Sequence, residues 1–210
     1  MKKIAVLVSG NGSNLQALID ANLSGQIVGV LSNKANAFAL ERAAQANIAT
    51  CVIEHRNYPT REAFDQAMHQ QLCKWNVDLV ILAGFMRILS TDFVMQWEGK
   101  MLNIHPSLLP AYKGMHTHQR VLQTGDRWHG CTVHFVTPQL DAGQAIAQGV
   151  VEVLPHDTQD TLAQRVHLLE HRIYPMVTEW ICTEKLTYTN ADYVSLNGKK
   201  LTQPFQVCSI

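Results

Sequence analysis

"LVSGNGSNLQALID", residues 7–20, runs from the end of an apolar stretch through two glycines, Gly10 and Gly12, into a segment patterned as a helix. The residues before it, "KIAVLVS" from Lys3, are β-rich, and behind it Leu15, Leu18, Ile19 and Leu23 recur at helical spacing. A strand, a glycine turn and a helix N-terminus in that order make an anion site, because outward-facing backbone N–H groups and the helix dipole both favour negative charge there. The spacing is not that of a dinucleotide loop, since Leu15 stands where the third glycine would fall. It also lacks the Gly-Lys-Ser/Thr of a nucleoside triphosphate loop. The stretch suits a single phosphate, with Ser13 and Asn14 adding side-chain donors, or else it is a tight β–α turn with a polar cap.

Outward from this stretch, strand-like and helix-like segments alternate. "IVGVLSN" reads as a strand, "AFALERAAQA" as a helix and "IATCVIE" as a third strand. "TREAFDQAMHQQLCKW" opens on a Thr cap and lines Phe64, Met68, Leu72 and Trp75 along one face. "VDLVILAGF" is almost wholly apolar, as a central strand of a parallel sheet should be, and "KMLNIHPS" follows a short helical piece. After Ser107 the rhythm changes. "GCTVHFVT" and "AIAQGVVEVL" are consecutive strands joined by "PQLDAGQ", a long amphipathic helix covers about 159–183, and "KLTYTNADYVSLNGKKL" carries an Asn197-Gly198 hairpin signal. The pattern predicts a doubly wound α/β fold with right-handed crossovers and a C-terminal hairpin, in one domain over 1–210.

Whole-chain properties narrow the function. The 210 residues are 47% apolar, enough for a sizeable core, and 17 basic residues balance 17 acidic ones, so no overall field draws nucleic acid or an anionic membrane. The five cysteines are odd in number and form no CxxC pair, which suits thiols in a reducing compartment. The apolar run after Met1 is too short for a signal peptide, and no stretch approaches a membrane span, so a cytoplasmic protein is expected. Ten histidines invite a metal, but no HExxH or Cys/His ligand spacing appears, and no metal is expected.

"LNIHPSLLPAYKG", residues 102–114, holds the second candidate. Asn103 and His105 are two apart, so in an extended chain they face the same way, at the end of a strand where an open α/β sheet binds ligands. An amide donor and an imidazole aimed at one point suit a carbonyl oxygen that becomes an oxyanion. Asp141, in the loop between two later strands, would favour the protonated form of a nearby His105 and fix its orientation. Taken alone, an Asn-x-His is more often a capped strand end. His134 could line the same pocket or be a partly buried strand histidine, while Tyr174 and Trp180 read as core.

Together, "SGNGSNLQALI", "AGFMRIL", "LNIHPSLLPAYKG", "HTH" and "HFVTPQLDAGQ" resemble, in collinear order from about Lys3 to Trp180, the folate-dependent phosphoribosylglycinamide formyltransferases of purine biosynthesis. The resemblance implies a Rossmann-like, mostly parallel seven-stranded sheet. Residues 1–107 would form a phosphate-binding half, 108–184 a folate-binding and catalytic half, and 185–210 an extension. It implies formyl transfer from 10-formyltetrahydrofolate, as co-substrate, to the amine of glycinamide ribonucleotide. Asn103, His105 and Asp141 match the catalytic trio. Asn11, Gly12, Ser13 and Asn14 match the substrate-phosphate loop, and His167 and Glu170 the residues that hold the sugar and glycinamide. Met86, Arg87, Ile88 and Leu89 match the backbone edge that reads the pterin, Arg61 a residue at the folate end, and Val136, Thr137, Pro138, Gln139, Leu140 and Asp141 the folate loop; Asn103 also borders the folate. Arg87 is a candidate partner for the folate glutamate tail. Two positions depart from the family, which has glycine and proline where Ala142 and Gln144 stand, and both bear on the stiffness of the folate loop. His167 also stands where the family often has another polar residue.

The expected partners are small molecules, with the chain a monomer or a homodimer. The rival readings are a 10-formyltetrahydrofolate hydrolase, which carries an additional N-terminal domain, a methionyl-tRNA formyltransferase, which needs a larger C-terminal domain and a basic surface, and a catalytically silent nucleotide-binding module.

Overall fold

In the computed structural model of the chain, which describes residues 1–190 and 193–208, the most apolar runs sit where a parallel sheet covers both faces. β1 (Lys3–Val8) is buried from Ile4 to Val8, and β4 (Leu79–Leu82) is buried throughout. The chain divides into two compact units, Met1–Asn103 and Ile104–Ile210.

In the first unit, β2 (Gln26–Ser32), β3 (Thr50–Val52) and β5 (Met101–His105), whose last two residues belong to the second unit, join β1 and β4. All pairings are parallel, in the order β5-β4-β1-β2-β3, with Val6 beside both Val30 and Ile81 and with Ile81 beside Leu102. The order reverses between β1 and β4, which makes the carboxyl ends of those two strands the switch point where open α/β sheets take ligands. The crossovers carry α1 (Ser13–Asp20), α2 (Ala39–Gln45), α3 (Arg61–Lys74) and α4 (Thr91–Gln96). The Thr60 cap read from sequence is present, its hydroxyl accepting from Ala63 N–H at 3.1 Å, and Phe64, Met68 and Leu72 are the buried face of α3. β3 is shorter than the stretch "IATCVIE" suggested, three residues at the sheet edge with little of it buried.

In the second unit, α5 (Thr117–Thr124) leads into β6 (Trp128–Phe135), which pairs antiparallel with β7 (Ala145–Glu152). α6 (Gln159–Cys182) opens on a capping box at Thr158 and buries Leu162, Val166, Leu169, Ile173 and Val177. β8 (Leu186–Asn190), β9 (Tyr193–Leu196) and β10 (Lys199–Lys200) form an antiparallel sheet of their own. The β9–β10 turn is the Asn197-Gly198 pair, with φ of 52° and 74°, as a two-residue hairpin turn demands. Within the hairpin stretch, Ala191 and Asp192 lie outside the described residues.

Two elements differ from expectation. The seven expected strands are β1–β7, but an eighth, β11 (Phe205–Cys208), pairs parallel with β7, so the C-terminal extension is more than a hairpin. Helix α5 has too weak a pattern to read, since only Thr117 and Val121 are buried, and two left-handed residues, His116 and Gly125, bound it. Among the described residues no helix is long and apolar enough to cross a membrane.

Helix α5 is tied to β6 by a histidine pair, with His118 Nδ1 2.9 Å from His129 Nε2. One ring must donate and the other accept, so the contact suits neutral rings. Burial pushes the His129 pKa down to about 4, and the charges of His118 and His105 add to the effect. Burial lowers His118 as well. An unfolded histidine titrates near 6.5, so between that pH and about 4 the unfolded chain binds more protons than the folded one. The stability this site contributes is therefore complete above about pH 6.5 and is lost as pH falls towards 4. Thermal unfolding of His129→Gln should give a Tm below the wild type at pH 7.5 and a gap that narrows steadily down to pH 4.5. A constant gap would contradict the assignment.

Candidate active site

Gly12 fixes the shape of the first loop. Its φ is +78°, and a Cβ there would stand 2.5 Å from the Ala39 Cβ of α2, so only glycine meets both the dihedral and the packing. Gly12 is the N-cap of α1 and brings no side-chain cap to its first turn. Asn11 and Gly12 occupy the turn, and Ser13 and Asn14 are the first residues of α1. Sequence reasoning missed Arg42. From α2 its guanidinium donates to the Asn11 carbonyl (2.9 Å), to Asn11 Oδ1 (3.1 Å) and to Gln16 Oε1 (3.2 Å), which puts a fixed positive charge beside the loop. Nothing in the local pattern of "AFALERAAQA" marks it, because the contact forms only when α1 and α2 pack together.

The segment Met86–Leu89 follows β4 without regular structure. The side chains of Met86 and Ile88 are 68% and 63% exposed, unusual for apolar residues at the edge of a buried sheet. Arg87 is exposed, as is Arg61, the first residue of α3. Where the segment ends, Ser90 N–H donates to Asp65 Oδ2 at 2.6 Å, and burial raises the Asp65 pKa.

Asn103 and His105 are both on β5, two residues apart, and strand geometry turns their side chains to one face. In the second unit Asp141 adopts a left-handed φ of 46°, a conformation Asp tolerates better than most residues. It brings a buried carboxylate against His105, with Oδ2 3.4 Å from Nδ1 and both side chains under 10% exposed. The same oxygen accepts from Gly114 N–H at 3.0 Å. On its other side the His105 ring meets the Tyr112 carbonyl, 2.9 Å from Nε2. A carbonyl only accepts, so Nε2 carries a proton, while Nδ1 faces the carboxylate. This geometry also means that a substrate oxygen approaching Nε2 must compete with Tyr112, a partner absent from the sequence-based reading.

His134 sits beside the pair, its Nε2 3.9 Å from Asp141 Oδ1 and its Nδ1–H donating to the Phe135 carbonyl at 2.8 Å. Burial lowers its pKa, so it is neutral at physiological pH. Val136–Asp141 forms an exposed loop with Pro138, Gln139 and Leu140 outermost, and the Thr137 hydroxyl donates to the Gln139 carbonyl at 3.2 Å. The Gln144 carbonyl accepts from Phe135 N–H at 3.1 Å, a bond that needs no particular side chain at 144. Gly143 presses on the Phe135 carbonyl so closely that a Cβ would stand 1.8 Å from the oxygen.

Glu170 is buried on α6, and its charge helps push up the Cys131 thiol, whose pKa burial already raises. His167, three residues earlier on the same helix face, is exposed. Among the described residues no group of three His, Cys, Asp or Glu side chains is arranged to hold a metal ion.

The formyl transferase family matches residues 2–178. The phosphoribosylglycinamide formyltransferase of Escherichia coli (strain K12) is 48% identical over 203 residues, covering 94% of this chain and 95% of its own. A segment of the trifunctional purine biosynthetic protein adenosine-3 of Chironomus tentans is 50% identical over 208 residues, and the chain spans only 15% of that protein's length. Among solved structures, the phosphoribosylglycinamide formyltransferase of Coxiella burnetii superposes with a TM-score of 0.93 at 46% identity, covering 97% of this chain and 99% of that one. On this match of sequence and fold, the chain belongs to the formyl transferase family.

Proposed function

We propose that the chain transfers the formyl group of 10-formyltetrahydrofolate to the amine of glycinamide ribonucleotide, a step of purine biosynthesis. The observation that carries this reading is the buried His105–Asp141 pair, 3.4 Å apart, in a chain whose full-length relatives bear the name of that activity. The ribonucleotide phosphate binds at Asn11–Asn14, where uncapped helix N–H groups and the nearby Arg42 charge favour an anion. His167 and Glu170 hold the sugar and glycinamide. The backbone of Met86–Leu89 reads the pterin, Val136–Asp141 is the folate loop, Asn103 borders the folate, Arg61 lies at the folate end, and Arg87 is the partner of the glutamate tail.

In this mechanism the amine attacks the formyl carbon, a C–N bond forms, and charge collects on the formyl oxygen. Asn103 donates to that oxygen from its side-chain amide, and His105 donates from Nε2, exchanging the Tyr112 carbonyl for the stronger acceptor. Loss of one such donor typically costs about 10²–10³ in rate. Asp141 keeps His105 charged through the step. Collapse of the tetrahedral intermediate breaks the bond from carbon to the folate nitrogen. That nitrogen leaves with a proton, and the amine gives one up. No covalent enzyme intermediate enters, because the amine attacks the formyl carbon directly. The proposal includes a cytoplasmic setting, which suits five free cysteines, and a chain that works as a monomer or homodimer on small molecules alone.

An absorbance assay that follows loss of 10-formyltetrahydrofolate, with and without glycinamide ribonucleotide, tests the reading. Turnover should require both substrates. Turnover without the ribonucleotide would make the chain a hydrolase, and binding without turnover a silent module.

The phosphate assignment has its own test. Gly12→Val should raise KM for the ribonucleotide at least about tenfold and KM for the folate less than about twofold. The clash with Ala39 also lowers stability, so the assay must be run well below the variant's Tm. Equal increases in both KM values would contradict the assignment.

A further inference from the structure

Ser9 opens the loop read as the phosphate site, yet its hydroxyl is committed elsewhere. Oγ donates to Asn33 Oδ1 at 2.6 Å and accepts from Met86 N–H at 2.8 Å. Ser9 and Asn33 are 4% and 2% exposed. The three residues follow β1, β2 and β4, which are neighbours in the order β4-β1-β2, so the two bonds run across the carboxyl ends of three adjacent strands. The Ser9–Met86 bond lies at the switch point itself.

Met86 begins the irregular segment whose backbone is read as the pterin edge. Its amide is anchored by Ser9, and the next anchored amide is that of Ser90, held by the buried Asp65. Among the described residues no hydrogen bond engages the backbone amides of Arg87, Ile88 or Leu89. An edge that recognises a ligand through its backbone has no regular structure to keep it in shape, so its form depends on the two bonds at its ends. Such pre-organisation spares the ligand the cost of ordering the segment. A serine hydroxyl has one proton to give. With that proton directed at Asn33, a lone pair is left for the Met86 amide, so Asn33 sets the direction of the bond.

We propose that Ser9, oriented by Asn33, is a positioning residue for the folate and not for the ribonucleotide, fixing the folate's backbone edge at Met86 from within the phosphate loop. The proposal rests on the reading of Met86–Leu89 as the folate edge. It separates two neighbours in sequence: Gly12 serves the ribonucleotide, and Ser9, three residues earlier, serves the other substrate.

The test is steady-state kinetics on Ser9→Ala, Ser9→Thr, Asn33→Ala and the double variant, together with amide hydrogen exchange of Met86 in the unliganded protein. Ser9→Ala should raise KM for 10-formyltetrahydrofolate about tenfold, the scale of one buried hydrogen bond, with KM for the ribonucleotide and kcat within about threefold of wild type. Ser9→Thr keeps the hydroxyl and should restore much of the folate KM. Asn33→Ala should act in the same direction, and its effect should not add to that of Ser9→Ala. Met86 exchange should quicken in Ser9→Ala, which establishes the anchor without any substrate. Faster exchange with an unchanged folate KM would overturn the positioning role, as would a rise in the ribonucleotide KM alone or in both equally. A wild-type chain that fails to turn over the two substrates would instead overturn the functional reading, and this proposal with it.

Discussion

A carboxylate buried beside an imidazole is the constraint on which the second unit is organised. Asp141 and His105 are both nearly inaccessible, and an ionised carboxylate so placed costs several kcal/mol unless it is paired and hydrogen-bonded. The loop meets that cost at one carboxylate oxygen, Oδ2, which faces the His105 ring and accepts from the Gly114 amide. To bring the carboxylate there, the chain turns through a left-handed residue at Asp141 and packs Gly143 directly on the Phe135 carbonyl. Local strain of this kind persists where surrounding structure over-determines it, and functional sites are where it gathers.

In the proposed reading the first unit meets a different demand, that of presenting backbone amides to ligands. Its parallel strands end on one edge, and the order reversal between β1 and β4 opens a gap there. On one side of the gap an uncapped helix start offers N–H groups, and on the other an irregular segment offers the same. Arg42 and Asp65 hydrogen-bond to these two segments, as does Ser9 with Asn33 behind it, and so hold them in shape.

Much of this was legible in sequence, for reasons that differ by element. The strands β1, β2 and β4 announce themselves because burial on both faces requires unbroken apolar runs. α3 and α6 do so because their caps and one-sided burial repeat over several turns. β11 could not be read, because an edge strand with most of its residues exposed carries no strong pattern. At the candidate site, Asn103 and His105 are readable as a pair from strand periodicity, and Asp141 as a carboxylate in a strand-joining loop, whose contact with His105 only the folded chain shows. The partners that tune them were not readable at all. Tyr112 acts through its backbone carbonyl, which any residue could supply, and the contacts of Ser9 and Arg42 join segments far apart in the chain.

The claim at the centre of this account is that the Asp141 carboxylate acts through His105 on the chemical step and not on the binding of either substrate. The direct measurement is kcat for Asp141→Asn with both substrates saturating, since asparagine keeps the size of the side chain and an acceptor for Gly114 N–H while removing the charge. The account predicts a fall in kcat of at least about a hundredfold with KM for each substrate within a few-fold of wild type. A variant that keeps kcat within about threefold of wild type would contradict it.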